Sequence, residues 1–599
     1  MKFPKFSCPV YKYGDKDYEF YRYQYATSSQ PREKMSPAAI IRPQHPNADP
    51  DVLTAIRYAA ANKLAIAVRT GGHAYSGTSS TTKKNIQLDL SEAYNEWDYN
   101  PETGLLQVGI SHTLLEFNTR LKEAGLFMPT GQCYDVHVGG HAQTGGYGQL
   151  SRAFGLFSDQ IVSFEIFLAD GTKRVVAADS PDQFDKDLFF AVLGGGPGNY
   201  GIVTRITVRP YRDSDHRYSR AYKKFVPYDP KLDHNILVQL LELVMDWEHA
   251  PSDYDFCVTV AAGEEDFISN LIGSASRDAF MIKHFKDLNH SSPFNILMVY
   301  FQYSNYDNKR DSYDPSWCKR IDAIFSTVNK GGSWWERFKL WIEQKILNRL
   351  DRQDNSKITR MSESITKLWT YKGTREFNYP YLKYGQVTDK VASDDWPEWA
   401  ASRIDAMVGR SHEGLMVFSQ CQNFGGKHSS VTKNGKLKQT SYAWRNTTVG
   451  LNLDIFYNKN MPGAQTAAHK WHTDNRREAI GRHGKFSTSD HRWFWASHDH
   501  INMHQMWRHY YSDKDYERCC KVKKKVDPKG VFTPNSFVVG YTPKSAPKHA
   551  SLNKAQIDEA EIFGQSEEVL DDSMYTKGHT DRAKLRAKAK GIDVTEFFR

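Results

Sequence analysis

Three glycine clusters constrain this chain more than any other feature: Arg69–Gly77, Gly131–Gly148 and Gly194–Gly201. Each follows or precedes an expected strand, so each marks a place where backbone comes close to something that side chains would obstruct. Between them, short apolar runs alternate with amphipathic stretches. Ala39–Arg42, Leu64–Arg69, Asn85–Leu90, Leu105–Val108, Ile161–Leu168 and Ile202–Val208 read as strands, and Asp49–Ala61 and Leu114–Ala124 read as helices. Asp170-Gly171 reads as a hairpin turn. The pattern is that of an α+β lobe.

A length of 599 residues exceeds the roughly 100–200 expected of one domain, and the text changes after Asp213. Helices from Ile236 to Trp247 and from Trp334 to Arg352 are aromatic-rich, and strands follow near Leu415–Gln420 and Val449–Phe456. A basic segment, Arg518–Val526, leads into the turn Asp527-Pro528-Lys529-Gly530 and a strand-like Val531-Phe532-Thr533. The expected organisation is an N-terminal segment (1–35), the glycine-punctuated lobe (36–213), a second lobe of antiparallel sheet and helices (214–509), a segment returning to the first lobe (510–545) and a peripheral polar tail (546–599).

Bulk properties remove several function classes. No run of about 18 apolar residues is present, which excludes a membrane-spanning helix and leaves no membrane partner. The net charge of +9 is a small imbalance between 79 basic and 70 acidic residues, and part of it sits at Arg582, Lys584, Arg586, Lys588 and Lys590, so no nucleic-acid partner is implied. Seven cysteines without a CxxC pair argue against a disulfide scaffold or zinc ribbon and leave at least one thiol over. The N-terminal Met1–Cys8 lacks the apolar core of a signal peptide, so an intracellular chain, or one already processed, is expected.

Each cluster admits more than one reading. In Arg69-Thr70-Gly71-Gly72-His73-Ala74-Tyr75-Ser76-Gly77, consecutive small residues free several N–H groups for an anion nest with a histidine inside it, or simply make a tight turn. In the second cluster Cys133 is either a small buried hydrophobe or a nucleophile held near a ligand. The third contains a literal G-x-G-x-x-G, but a helix-like run (Asp187–Leu193) precedes it and a strand follows, the reverse of a nicotinamide-binding fingerprint.

Together, R-x-G-G-H-x-x-x-G, then G-x-C-x-x-V-x-V-G-G-H-x-x-x-G-G-Y-G about sixty residues later, then L-G-G-G-x-G-N-Y-G-I-V resemble the FAD-binding domain of the p-cresol methylhydroxylase/vanillyl-alcohol oxidase superfamily. More closely they resemble its berberine bridge enzyme branch. The likeness runs from about Ile40 to Pro210 and resumes at Phe424-Gly425-Gly426 and at Lys521–Pro528. It implies a two-lobed fold, with a PCMH-type FAD-binding domain and a substrate domain.

The resemblance implies FAD held bicovalently, through His73 at the flavin 8α position and Cys133 at C6. Arg69, Thr70, Gly71, Gly72, Ala74, Tyr75 and Gly77 would form the pyrophosphate loop. Gly139, Gly140, His141, Gly145, Gly146, Tyr147 and Gly148 would pass along the flavin and ribityl chain. Gly196, Gly198, Asn199, Gly201, Ile202 and Asn535 complete the implied cofactor set. Val136 stands where oxidases of the branch carry valine and poorly oxygen-reactive members carry a bulkier residue, implying molecular oxygen as acceptor and hydrogen peroxide as product. The chain departs from the branch at Tyr134-Asp135, at His137 where glycine is common, and at Leu193 where arginine is common.

Oxidising an alcohol or hemiacetal requires a group that removes the hydroxyl proton as hydride leaves. The Tyr-x-Asn-Tyr segment that supplies a phenolic base in many relatives is missing, and the nearest stretch by spacing, Phe494–His500, offers His498 and Asp499. Gln420, Gln422, Tyr442 and Arg445, on expected strands flanking Phe424-Gly425-Gly426, are candidates for binding substrate hydroxyls, or else form a polar outer face. His500 and His504, one helical turn apart, open a metal reading that no HExxH motif supports. The expected activity is an alcohol or carbohydrate oxidase. The alternatives are oxidation of a secondary metabolite, a flavin dehydrogenase with another acceptor, or flavin kept for binding alone.

Overall fold

The computed structural model describes residues 3–24, 32–74, 76–133, 135–264, 294–326, 359–360, 379–388, 395–479, 492–493, 503, 507–543 and 586–593. Its first lobe is built on two sheets. One has four strands in the order Val10–Lys12, Ala39–Ile41, Ile86–Asp89, Ile66–Arg69, the last three parallel because the helix Ala48–Asn62 crosses between them. The other has five antiparallel strands, Trp97–Asn100, Leu105–Gly109, Ile202–Val208, Ile161–Phe167 and Lys173–Ala177, the last two joined through the Asp170-Gly171 turn.

The second lobe is an eight-stranded sheet with central strands Phe294–Tyr303, Tyr254–Gly263, Leu415–Asn423, Val449–Tyr457 and Tyr381–Thr388. One face packs on the helices Pro230–Asp246, Ser316–Phe325, Trp396–Asp405 and Ala464–Ala479 through Leu237, Leu240, Val260, Leu297, Leu451, Leu453 and Trp396. The helix over residues 230–246 begins six residues before the apolar run from Ile236. Pro230 starts it, and the Asp229 carboxylate accepts from Lys231 N.

The opposite face of the sheet turns toward the first lobe and is polar. Alternation puts Phe418, Gln420 and Gln422 on one strand beside Asn452 and Asp454 on the next, with Lys383 beyond them. The first-lobe core also takes in Phe424, Val431, Tyr442 and Trp444, and then Trp507, Tyr510, Cys519, Phe532 and Val539. Chain from the second half thus closes the first lobe. The expected strand at Val531–Thr533 is a turn, because Asp527 gathers the Val531 and Phe532 N–H groups.

Candidate functional site: a glycine-walled cleft between the lobes

Where the polar sheet face meets the glycine loops lies an open cleft. Thr70, Gly71, Gly72, His73 and Ala74 form one wall, and Cys133, Val136, Gly139, Gly140 and His141 form another. Gly146, Tyr147, Gly148, Pro197 and Gly201 continue it, and Gln420, Gln422, Asn452, Lys383 and Phe418 face them. His73 and Cys133 are both half-buried on this one cleft. Among the described cysteines, Cys257, Cys318, Cys421, Cys519 and Cys520 are buried in the protein interior.

Local sequence explains the loop geometry. The strand Ile66–Arg69 ends at the first cluster, and Arg69 itself turns away from the cleft. Its guanidinium bonds the Tyr21 carbonyl at 2.6 Å, the Tyr23 carbonyl at 3.1 Å and the Asp89 carboxylate at 2.5 Å. Arg69 therefore anchors the loop from behind. Paired with Arg69 and Arg42, the Asp89 carboxyl is held far below the usual carboxylate range despite complete burial.

In the second cluster the His141 ring accepts the Gly131 N–H at 3.0 Å. Burial lowers the His141 pKa to about 3, so the ring stays neutral and keeps that acceptor. A methyl group on Gly148 would lie 1.8 Å from the Thr130 carbonyl oxygen, whereas one on Gly140 would meet nothing within 4 Å. Gly148 is thus required by packing inside the protein, and Gly140 leaves a bare patch of backbone on the cleft.

The third cluster serves as a hub. Pro197 and Gly201 reach the cleft wall, while Gly196, Gly198, Asn199 and Ile202 lie behind it. Gln143 bonds the Gly139 carbonyl at 2.9 Å and accepts Gly198 N–H at 3.3 Å, stapling the second cluster to the third. Asn199 bonds Gly196 O at 2.9 Å and accepts Val539 N–H at 2.9 Å. Asn535 donates to the carbonyls of Thr78 and Ser80, at 2.8 and 3.0 Å, tying the returning segment to the chain just after the first cluster. Gly77 and Gly145 also lie off the cleft wall, and Tyr75 lies outside the described residues.

Of the expected substrate contacts, Gln420 and Gln422 line the cleft. Tyr442 and Arg445 do not: residues 441–448 form no strand, and this stretch runs back across the first lobe. There Arg445 makes a two-pronged ion pair with Asp159, at 2.7 and 2.8 Å. His498, Asp499, His500 and His504 lie outside the described residues. Lys383 and Asn452, not singled out from sequence, join the wall. Lys383 Nζ is held by both Asp454 carboxylate oxygens at 2.9 and 3.0 Å, and Asn452 donates to the Tyr147 hydroxyl at 3.0 Å. The signal for them was strand alternation, legible only once the strand pairing is known.

FAD fits the residues present. Gly140 offers bare backbone for a flat group to lie against, and the buried oxygens Gln422 Oε1 and Asn452 Oδ1 accept no hydrogen bond from the described residues. The chain also matches known proteins. Residues 37–176 match a family model described as an FAD binding domain. Aclacinomycin-N/aclacinomycin-A oxidase of Streptomyces galilaeus is 35% identical over 162 residues, covering 26% of this chain and 30% of that one. Berberine bridge enzyme-like 12 of Arabidopsis thaliana is 35% identical over 190 residues, covering 31% and 33%. These alignments span about a third of the relatives' length. In fold, a chitooligosaccharide oxidase structure superposes with a TM-score of 0.62 at 16% identity, covering 90% of this chain and 98% of that one. Residues 37–176 are thus an FAD binding domain, in a chain whose homologues include berberine bridge enzyme-like proteins and whose fold is that of berberine bridge enzyme-like structures.

Proposed function

We propose that the protein is an FAD-dependent oxidase acting on an alcohol or carbohydrate hemiacetal, with FAD attached through His73 and Cys133. The observation that carries this reading is the convergence of these two side chains, from loops about sixty residues apart, on one cleft roofed by polar side chains. When bound, FAD would supply two-electron acceptance from substrate and reoxidation by molecular oxygen to hydrogen peroxide.

The chain's own residues do the remaining work. Gln420, Gln422 and Asn452 present amides that suit a hydroxyl-rich substrate. Lys383, fixed by Asp454, places a positive charge at the wall, where it favours alkoxide character as a hydroxyl proton departs. Burial keeps the Tyr147 phenol protonated at neutral pH, so it serves as a hydrogen-bonding group and not as the base. The base we assign to His498 or Asp499. In support, the strand Arg492–Trp493 just before them pairs with Tyr381–Thr388, the strand that carries Lys383.

Oxidation of an aromatic secondary metabolite is the second reading. It is favoured by the similarity to aclacinomycin-N/aclacinomycin-A oxidase and by the Phe418 and Tyr147 rings at the cleft. Peroxide release across sugars, aromatic alcohols and amines separates the two. In wild type the flavin should resist acid precipitation, and in the His73→Ala/Cys133→Ala protein it should be released. Acid-resistant flavin in that double variant would overturn the attachment.

A further inference from the structure

The tail expected to be peripheral is not so throughout. Residues 586–589 form a helical turn against the first lobe, with Ala587 and Ile592 buried and Lys588 exposed. Arg586 reaches His137 on the cleft wall, its guanidinium 3.2 Å from Nε2, and Lys590 reaches Glu116 Oε2 at 2.8 Å and the Ser111 carbonyl at 3.3 Å. From this geometry we infer that residues 586–593 are a clamp, supplied by the chain itself, which fixes the loop bearing Cys133. Arg586 and Lys590 are its positioning residues.

The hydrogen-bond inventory of the two partners sets the direction of each bond. A guanidinium only donates, so His137 Nε2 is the acceptor, and Nδ1 then carries the proton and donates to the Asp135 carbonyl at 3.0 Å. One neutral tautomer is thereby selected, and it holds the turn between Cys133 and His137. The same ring leans on the first cluster: a methyl group on Gly71 would lie 2.4 Å from His137 Nδ1. A single imidazole thus touches both loops that carry the proposed attachment residues, with Arg586 behind it.

Lys590 secures the other support. The loop is pinned to the start of the helix Leu114–Glu123, through Leu114 N–H to the Val136 carbonyl at 2.7 Å and Val138 N–H to the His112 carbonyl at 2.8 Å. That helix start depends on the reciprocal cap between Thr113 and Glu116. Glu116 is almost fully buried, and its Oε2 faces the Lys590 ammonium at 2.8 Å and the His112 ring at 3.6 Å. Detaching the tail removes the ammonium from this carboxylate at the point where the loop is anchored.

The clamp's effect on flavin rests on the reading of the cleft given above, so the experiment uses two readouts. Hydrogen exchange is followed in the full-length holoprotein, in Arg586→Met/Lys590→Met, in a chain ending at residue 585, and in the exposed control Lys588→Met. Acid-resistant flavin is measured in the same samples. The double variant and the shortened chain should exchange about tenfold or more faster within 131–141, at unchanged rates within 254–263, and should carry less acid-resistant flavin. Lys588→Met should match wild type, and Arg586→Lys, which keeps a donor, should recover much of the protection. Wild-type exchange within 131–141 in both the double variant and the shortened chain overturns the clamp. Faster exchange in a protein whose wild type holds no acid-resistant flavin upholds the clamp and removes the flavin reading instead.

Discussion

His141 shows how one neutral side chain can hold a loop. Its pKa, and that of His137, is lowered by burial to about 3, against an ordinary value of about 6.5. Above pH 6.5 both the folded and unfolded forms are neutral and the fold keeps its full stability. Between pH 6.5 and about 3 only the unfolded chain takes up these protons, so stability falls as pH falls, by about 1.4 kcal/mol per pH unit for each histidine. Urea unfolding midpoints between pH 8 and pH 4 should therefore decline on the acid side, and a flat profile would refute this account. Lys383 gives a second test at this scale. Lys383→Met removes the positive charge beside the cleft, so turnover should drop, by about tenfold or more at saturating substrate. Lys383→Arg should retain more activity than Lys383→Met.

Among the described elements, the helix Asp513–Val526 joins distant sequence to the first lobe. Ser512 caps its start by accepting Asp515 N–H, and Lys523, Lys524 and Lys525 oppose the helix dipole at its end. Lys523 is fully buried and donates to the Asn199 carbonyl of the third cluster at 2.5 Å, to Phe532 O at 2.7 Å and to Asp527 at 2.8 Å. Burial lowers its pKa to about 8, with Asp527 opposing that shift. Lys523→Met strands the Asp527 carboxylate and frees the third cluster, at a cost of about 3–5 kcal/mol. A lower thermal midpoint and faster exchange at 196–201 should report it, and an unchanged midpoint would count against the role given to this bond.

Over the whole molecule, the lobes are joined by polar pegs and by a small apolar cluster of Phe127, Leu150, Phe154, Ala221, Cys257 and Tyr300. Gln420 donates to Gln132 Oε1 at 3.3 Å and Gln422 to the Gly148 carbonyl at 2.9 Å, so the sheet that faces the cleft also grips its glycine wall. Behind them Arg152, fully buried in the first lobe, donates to Tyr254 O at 2.9 Å, Gly425 O at 2.5 Å and Pro251 O at 3.3 Å, and also to Ala250 O. Arg152→Met leaves these carbonyls without their charged donor and should cost about 3 kcal/mol or more. Calorimetry should then resolve two unfolding transitions, one for each lobe. A single transition at the wild-type temperature would refute the role of Arg152 as the joint.

Much of the first lobe was legible in the amino-acid sequence. Strand Ile202–Val208 lies where its β-branched run places it, and the helix at Leu114–Glu123 falls within a residue of its expected span, because periodicity and capping act over a few neighbours. The glycine clusters pointed to the cleft walls for the same local reason: small residues permit close approach wherever they stand. Tertiary structure alone decided which side chains face across the cleft. Lys383 and Asn452 belong there because strands 381–388, 415–423 and 449–457 pair in one register, and a pairing between segments tens of residues apart leaves no local mark. The same long-range packing turns Arg69 and Arg445 away, since each finds a buried carboxylate, Asp89 or Asp159, that neutralises its charge. It also brings Arg586 to His137 across 449 positions, a contact written into no stretch of sequence, because burial and charge pairing are settled only when the whole chain has packed.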